Sequence, residues 1–242
     1  MSKLVCIIPF YNEESRFSST IYDALFLEYQ HIDFLLVDDK STDKTLDLLT
    51  YLDEKHTNCE LLSLNKNVGK AEAIRSGVLY NKNKNYDFVG FLDADLATPI
   101  CEFDRLFNFI STSEKTIIVM GSRIKLIGNK VNRSLKRHYF GRIFATIISQ
   151  FILKVPIYDT QCGAKIFNSN VIDKLFDKPF RSKWLFDVEL LLRLKNNNHN
   201  LQNTVVEIPL NEWTEMGNSK IKFTEVLSFP FQLIKIYFHY AK

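Results

Sequence analysis

Cysteine is scarce and scattered in this chain of 242 residues: Cys6, Cys59, Cys101 and Cys162 are the only four, and no two form a C-x-x-C pair. That spacing argues against a zinc site or a disulfide framework and favours a reducing compartment. Cys6 lies inside an apolar run, where it packs as a small hydrophobe. No apolar stretch reaches the roughly 20 residues that cross a bilayer. Met1–Ser2–Lys3 leads straight into the first apolar run, with no signal-peptide pattern and no N-terminal anchor. A cytoplasmic protein is expected, with any membrane contact peripheral, on the cytoplasmic face. Internal repeats and low-complexity tracts are missing as well. The most uneven absence is of acid. Between Glu114 and Asp159 there is none, against nine Lys or Arg, so a net charge of only +3 conceals a basic block. Such a block suits an anionic partner: phosphate, lipid headgroup or nucleic acid.

What is present is an alternation of strands and helices. Leu4–Pro9 (LVCIIP) is all apolar and is followed by a helix start with acids in its first turn. Phe34–Lys40 (FLLVDDK) ends on Asp38 and Asp39, and Ser41-Thr42-Asp43 opens the next helix. Glu60–Leu64 reads as a third strand, and NKNVGKA (Asn65–Ala71) leads into a helix to about Tyr80. Phe88–Leu92 and Thr116–Gly121 read as the fourth and fifth strands. Continuous apolar strands between helices predict an α/β fold with a mostly parallel sheet covered on both faces. The rhythm is lost after about Gly121. The expected organisation is a single domain, 1–242, with a ligand-binding half (1–121) and a second half (122–242).

Within that pattern, FVGFLDAD (Phe88–Asp95) runs from a strand directly into two carboxylates at i and i+2, Asp93 and Asp95. Like charges so close raise each other's cost unless something neutralises them. Hard oxygen ligands of this kind suit Mg²⁺ or Mn²⁺, which keep positions open for phosphate oxygens. The pair stands at the carboxyl end of a strand, where open α/β sheets bind ligands. A D-x-D pair alone is more often a solvated turn, so its weight comes from that context.

FLLVDDKSTDKT, NKNVGKAEAIRSG and FLDADLATP together resemble the nucleotide-sugar-binding half of family-2 glycosyltransferases with the GT-A fold. MGSR (Met120–Arg123), DTQCGAKIF (Asp159–Phe167), KWLFDVELL (Lys183–Leu191) and WTEMGNSK (Trp213–Lys220) resemble the dolichyl-phosphate β-glucosyltransferases in particular. The likeness runs from Val5 to about Tyr237. Two departures stand out: relatives carry membrane anchors or helices that this chain lacks, and Ala97 replaces the Gln of the related mannosyltransferases.

The resemblance implies an inverting, metal-dependent transferase moving a sugar, UDP-glucose being the favoured donor, to a polyprenyl phosphate. Pro9, Tyr11 and Glu13 would line the nucleotide pocket, Asp39 would accept from the uracil ring, and Gly69 and Lys70 would lie near the nucleotide. Asp93, Ala94 and Asp95 would meet the ribose, the metal (Mg²⁺ or Mn²⁺) and the donor phosphates. One of Asp38 and Asp39 is expected to be a turn or capping residue instead, and Asp43 an acid in a first helical turn. Arg123, Arg133, Lys136 and Arg137 are candidates to hold the acceptor phosphate, since forked guanidinium donors match it. Gln161 and Trp184 flank the same pocket. Asp187 opens a helix, where capping would explain it; as a general base it would fit the alternative of a family-2 enzyme acting on a glycan or soluble hydroxyl. Cys162 is expected to pack, because inversion by direct displacement needs no covalent intermediate.

Two segments are amphipathic: Tyr139–Val155, headed by the basic cluster, and Phe223–Tyr240, which Pro230 should break or kink. They could lie on a membrane surface or pack on the sheet or in a homodimer. Nucleic-acid binding is not expected, because the basic block lacks regularly interleaved stacking aromatics.

Overall fold

The computed structural model describes residues 2–132, 141–142, 144–216 and 223–240. The first half follows the hydrophobic pattern: β1 (Leu4–Phe10), α1 (Ser19–Glu28), β2 (Ile32–Asp38), α2 (Thr45–Lys55), β3 (Cys59–Ser63), α3 (Lys70–Asn81), β4 (Phe88–Phe91), α4 (Ile100–Ser111) and β5 (Ile118–Ser122). Each predicted strand lies within two residues of its observed start. The Ser18 side chain caps α1 by accepting from the Ile21 amide, which satisfies one of the orphan donors of that first turn.

The second half adds short strands that the apolar pattern did not reveal. β6 (Lys130–Asn132), a π-helical turn (Ile148–Leu153), β7 (Lys165–Asn168), α5 (Ile172–Phe176), α6 (Phe186–Asn196), α7 (Leu201–Thr204), β8 (Val205–Pro209), β9 (Glu212–Thr214) and α8 (Phe223–Tyr240) follow in order. The main sheet has seven strands in the order β3-β2-β1-β4-β7-β5-β8. β7 is antiparallel to both its neighbours, and the other pairs are parallel. β6 and β9 form a separate parallel ribbon.

Strands inside this sheet are buried on both faces, so alternate residues enter two different cores. Val5, Ile7, Leu35, Val37 and Phe91 pack against α3, α5, α6 and α8. Leu4, Cys6, Ile8, Phe34 and Leu36 pack against α1, α2 and α4. Pro230 sits inside α8 and does not interrupt it, which corrects the expected break. The described part of the Tyr139–Val155 stripe includes the π-helical turn, which Lys154 ends in the left-handed conformation at φ 58°. No helix among the described residues is long and apolar enough to cross a membrane.

Candidate active site

The loops after β1 and β2 meet at the carboxyl edge of the sheet and are stitched to each other. The Asn12 amide donates to Ser41 Oγ at 3.1 Å, and Asn12 Oδ1 accepts from the Thr42 amide at 2.8 Å. The Glu13 amide donates to Thr45 Oγ1 at 2.8 Å, and the Glu14 amide to Asp43 at 3.2 Å. The Glu13 carboxylate is gripped by Arg16 through Nε at 3.0 Å and Nη2 at 2.9 Å. Glu13 and Asp43 thus have structural partners here, while Pro9 is half-buried and Tyr11 exposed beside them.

The structure separates Asp38 from Asp39. Asp38 is fully buried and folds back on its own turn, both oxygens accepting from the Ser41 amide. Asp39 instead bridges to the loop before α3, one oxygen accepting from the Val68 amide and the other from the Gly69 amide, each at 2.7 Å. Burial pushes the Asp39 carboxyl above its ordinary value, and the two amides and Lys183 only partly offset this. Gly69, at φ 85°, supplies the left-handed turn that aims those amides. Lys183 passes over the same spot, its Cδ 3.7 Å from where a Gly69 Cβ would stand.

β4 delivers the acid pair into a tight turn. The Leu96 amide donates to the Asp93 carbonyl at 3.1 Å, and Leu96 itself takes φ 50°. The buried Tyr22 hydroxyl donates to the Ala94 carbonyl at 2.7 Å, and the Ala97 amide donates to Asp95 Oδ1 at 3.1 Å. From β9, the Thr214 amide caps the turn at the Ala97 carbonyl. Lys70, first residue of α3, reaches across with Nζ on Asp93 Oδ1. Burial alone would raise the Asp93 carboxyl; Lys70, with Arg123 and Lys165 behind it, outweighs burial and holds it below the usual range. Asp95 goes the other way, raised by burial and then by the Asp93 charge. The two acids move in opposite directions because Lys70 contacts Asp93 and leaves Asp95 to its burial and to the neighbouring charge. No cluster of three or more His, Cys, Asp or Glu suited to a metal occurs among the described residues. Among the described residues the site offers two hard carboxylates, a donor set that fits Mg²⁺ or Mn²⁺ sharing its shell with ligand phosphates.

The second half contributes cations to the same floor. Lys165, at the start of β7, is buried and donates to Asp187 Oδ1 at 2.6 Å and to the Cys162 carbonyl at 2.5 Å. α6 starts at Phe186 after Leu185, with no side-chain cap, so the capping role expected of Asp187 is corrected: its carboxylate serves Lys165. Burial lifts the Asp187 carboxyl above its ordinary value despite Lys165. Arg123 is also engaged. Its Nε and Nη2 make a fork on Asp159 at 2.6 and 2.7 Å, and its guanidinium lies 5.5 Å from the Trp213 ring. The hand expected to grip an acceptor phosphate thus holds the 159–163 loop. Gln161 Nε2 and Trp184 Nε1 are buried donors with no partner among the described residues. Burial pushes the Cys162 thiol up to about 11, as suits a packing residue. Arg133, Lys136 and Arg137 lie outside the described residues.

This constellation sits on a sequence that matches the model of glycosyl transferase family 2 over residues 5–176. The chain belongs to glycosyl transferase family 2. Among family members, it is 33% identical over 243 residues to a dolichyl-phosphate beta-glucosyltransferase of Trichomonas vaginalis, covering 95% of this chain and 69% of that one. A dolichyl-phosphate beta-glucosyltransferase of Dictyostelium discoideum is 31% identical, over 98% of this chain and 74% of its own. Glucosyl-3-phosphoglycerate synthase of Mycobacterium tuberculosis, solved with Mn²⁺, UDP-glucose and phosphoglyceric acid, superposes with TM-score 0.72 at 16% identity, covering 99% of this chain and 80% of that one. That likeness shows the GT-A fold and bears out the α/β expectation. For this family-2 glycosyltransferase the sequence missed Lys165, Gly163, Lys183 and Tyr22. Lys165 and Gly163 left one signal, a Lys among apolar residues in DTQCGAKIF.

Asp39→Ala is expected to weaken UDP binding by about ten- to a hundredfold, since a charge-assisted contact contributes about 1.5–3 kcal/mol, while slowing turnover in saturated enzyme less. Calorimetric titration with UDP checks this; an unchanged Kd removes Asp39 from the nucleotide site.

Proposed function

We propose that this chain moves glucose from UDP-glucose to a polyprenyl phosphate of the dolichyl type, with inversion at the anomeric carbon. The observation that carries the reading is the acid pair Asp93–Asp95 set against Lys70 and the Asp39 cradle, in a family-2 chain whose similar relatives are dolichyl-phosphate glucosyltransferases. Residues 1–121 hold the donor and residues 122–242 the acceptor. Asp39 accepts from the uracil ring and selects a base that offers a donor there. Asp95, with Asp93, holds Mg²⁺ or Mn²⁺, which when bound neutralises charge growing on the departing nucleoside diphosphate. Lys70 and Arg123 add fixed positive potential on the same side of the sugar. A phosphate monoester is already anionic near pH 7, its second pKa being about 6, so the acceptor needs positioning rather than a strong base. Asp187, buried against Lys165, supports the floor of the site. The N–H groups of Gln161 and Trp184, without a partner among the described residues, are the donors we assign to the sugar or acceptor phosphate.

The acceptor's tail calls for an apolar surface. Phe144 and Phe229 bring the stripe after residue 141 and α8 together, with ring centroids 5.9 Å apart. Leu233 and Ile236 of α8 face the core, while Phe231, Ile234 and Phe238 are exposed, as are Ile147 and Phe151 of the neighbouring segment. By this reading the exposed side lies in the membrane interface, peripherally and on the cytoplasmic face. Sedimentation with anionic vesicles should fall as salt rises from low to 0.5 M, because exposed charges are screened over about 10 Å or less above 0.1 M. Salt-independent binding, or none, removes the basic contribution.

The deciding experiment supplies labelled UDP-glucose, dolichyl phosphate and Mn²⁺ and follows label into the organic phase. Label entering a soluble glycan instead overturns the lipid acceptor and favours a hydroxyl acceptor with Asp187 as base.

A further inference from the structure

β7 is the one antiparallel strand of the main sheet, and the turn that feeds it passes directly beside the acid pair. A Cβ built on Gly163 would fall 2.1 Å from Asp93 Oδ2, 2.3 Å from Asp93 Cγ and 2.7 Å from Asp93 Oδ1. Those are the three nearest heavy atoms, so the volume a side chain would occupy at 163 is filled by the Asp93 carboxylate. Positive φ occurs among the glycines at Gly69 and Gly128, not at Gly163. Alanine could therefore adopt the backbone of residue 163 without strain. What glycine supplies there is room.

On its other side Asp93 meets Lys70. One neighbour attracts the carboxylate and the other limits how far it can retreat. Two residues beyond Gly163, Lys165 ties the same turn down through the Cys162 carbonyl and Asp187. The limit is thus part of a fixed strand end, not a loose loop.

We propose that Gly163 is a positioning residue of the transfer reaction, fixing from the acceptor half the place where the Asp93 carboxylate stands in the donor half. It touches no substrate and acts only through Asp93. The inference rests on the reading of Asp93 as a donor-site acid. Its physical basis is that a carboxylate serving a metal–diphosphate or ribose contact must be held within about 0.5 Å of its productive position. A displacement near 1 Å can cost on the order of a hundredfold in rate.

The test is a double-mutant cycle on the whole chain, reading Mn²⁺-dependent UDP binding by calorimetry, glucose transfer from UDP-glucose, and melting temperature. Gly163→Ala should weaken Mn²⁺-dependent UDP binding and lower kcat, each by at least about tenfold. In the Asp93→Ala background, where the carboxylate is gone and the added methyl has space, the same substitution should change neither quantity further. Normal binding and turnover in Gly163→Ala overturn the proposal, and so do additive effects in the cycle. If Gly163→Ala does not fold, the Asp93→Ala/Gly163→Ala pair should restore folding; failure to restore it also overturns the proposal. Asp93→Ala alone separates the two levels. Near-normal activity there refutes the donor-site reading of Asp93, whereas an inactive Asp93→Ala beside a fully active Gly163→Ala refutes the positioning role alone.

Discussion

Asp95→Asn should leave the fold intact and cut turnover by at least about a hundredfold, roughly 3 kcal/mol of lost transition-state stabilisation. Asparagine keeps the shape and can still accept from the Ala97 amide, the hydrogen bond Asp95 makes at 3.1 Å. What it removes is one full negative charge at the end of β4. Asp93, already paired with Lys70, does not supply that second charge in its place. In the ligand-free protein the loss is harmless: Asp95 is raised by its own burial and by the Asp93 charge, so a neutral side chain relieves repulsion. The melting temperature should hold or rise slightly. Saturating Mn²⁺ should recover little of the rate, since the ligand itself is missing. A folded Asp95→Asn enzyme with near-normal activity would remove Asp95 from the metal role.

The acid pair stands out in the sequence for the same reason that its charge is costly in the ligand-free protein. Two carboxylates at the end of a buried strand are a local cost, and local costs that persist mark functional sites. The same logic made the first five strands legible, because parallel strands buried on both faces are unbroken apolar runs. It failed for β7 and the turn before it, where Lys165 and Gly163 break the apolar pattern for reasons that lie across the sheet. Lys165 answers Asp187, twenty-two residues later in the chain, and Gly163 answers Asp93, and neither partner is adjacent in sequence. Asp187 looked like a helix cap because helix starts attract acids, and only the fold supplies the buried lysine that explains it. Asp38 and Asp39 were equivalent in sequence. They diverge at the end of β2: Asp38, its last residue, accepts from the Ser41 amide in its own turn, and Asp39, the first residue beyond it, accepts from the Val68 and Gly69 amides.

Glu189→Ala should be strongly destabilising, costing about 3–5 kcal/mol by leaving a buried guanidinium without its counter-ion. Glu189 is fully buried and accepts from Arg193 Nη2 at 2.7 Å, the Tyr240 hydroxyl at 2.8 Å and the Arg181 amide at 2.9 Å. Arg193 extends the network to the carbonyls of Leu175, Lys178 and Pro179. Three elements meet there: α6, the connection from α5, and the last turn of α8. Removing the carboxylate strands Arg193 and frees both neighbours at once, and at this chain length the melting temperature should fall by roughly 10 °C. Glu189→Gln should cost less, because its carbonyl can still accept from Tyr240 or Arg181, although the charge on Arg193 stays unbalanced. Replacing both members by apolar residues of similar volume should recover part of the loss, as buried ion pairs often allow. Activity should decline with the fold, since the segment that Arg193 and Glu189 pin at Lys178–Arg181 leads directly into Lys183, Trp184 and Asp187. A change below about 2 °C in Glu189→Ala would show that the network contributes little and that hydrophobic contacts alone dock α8.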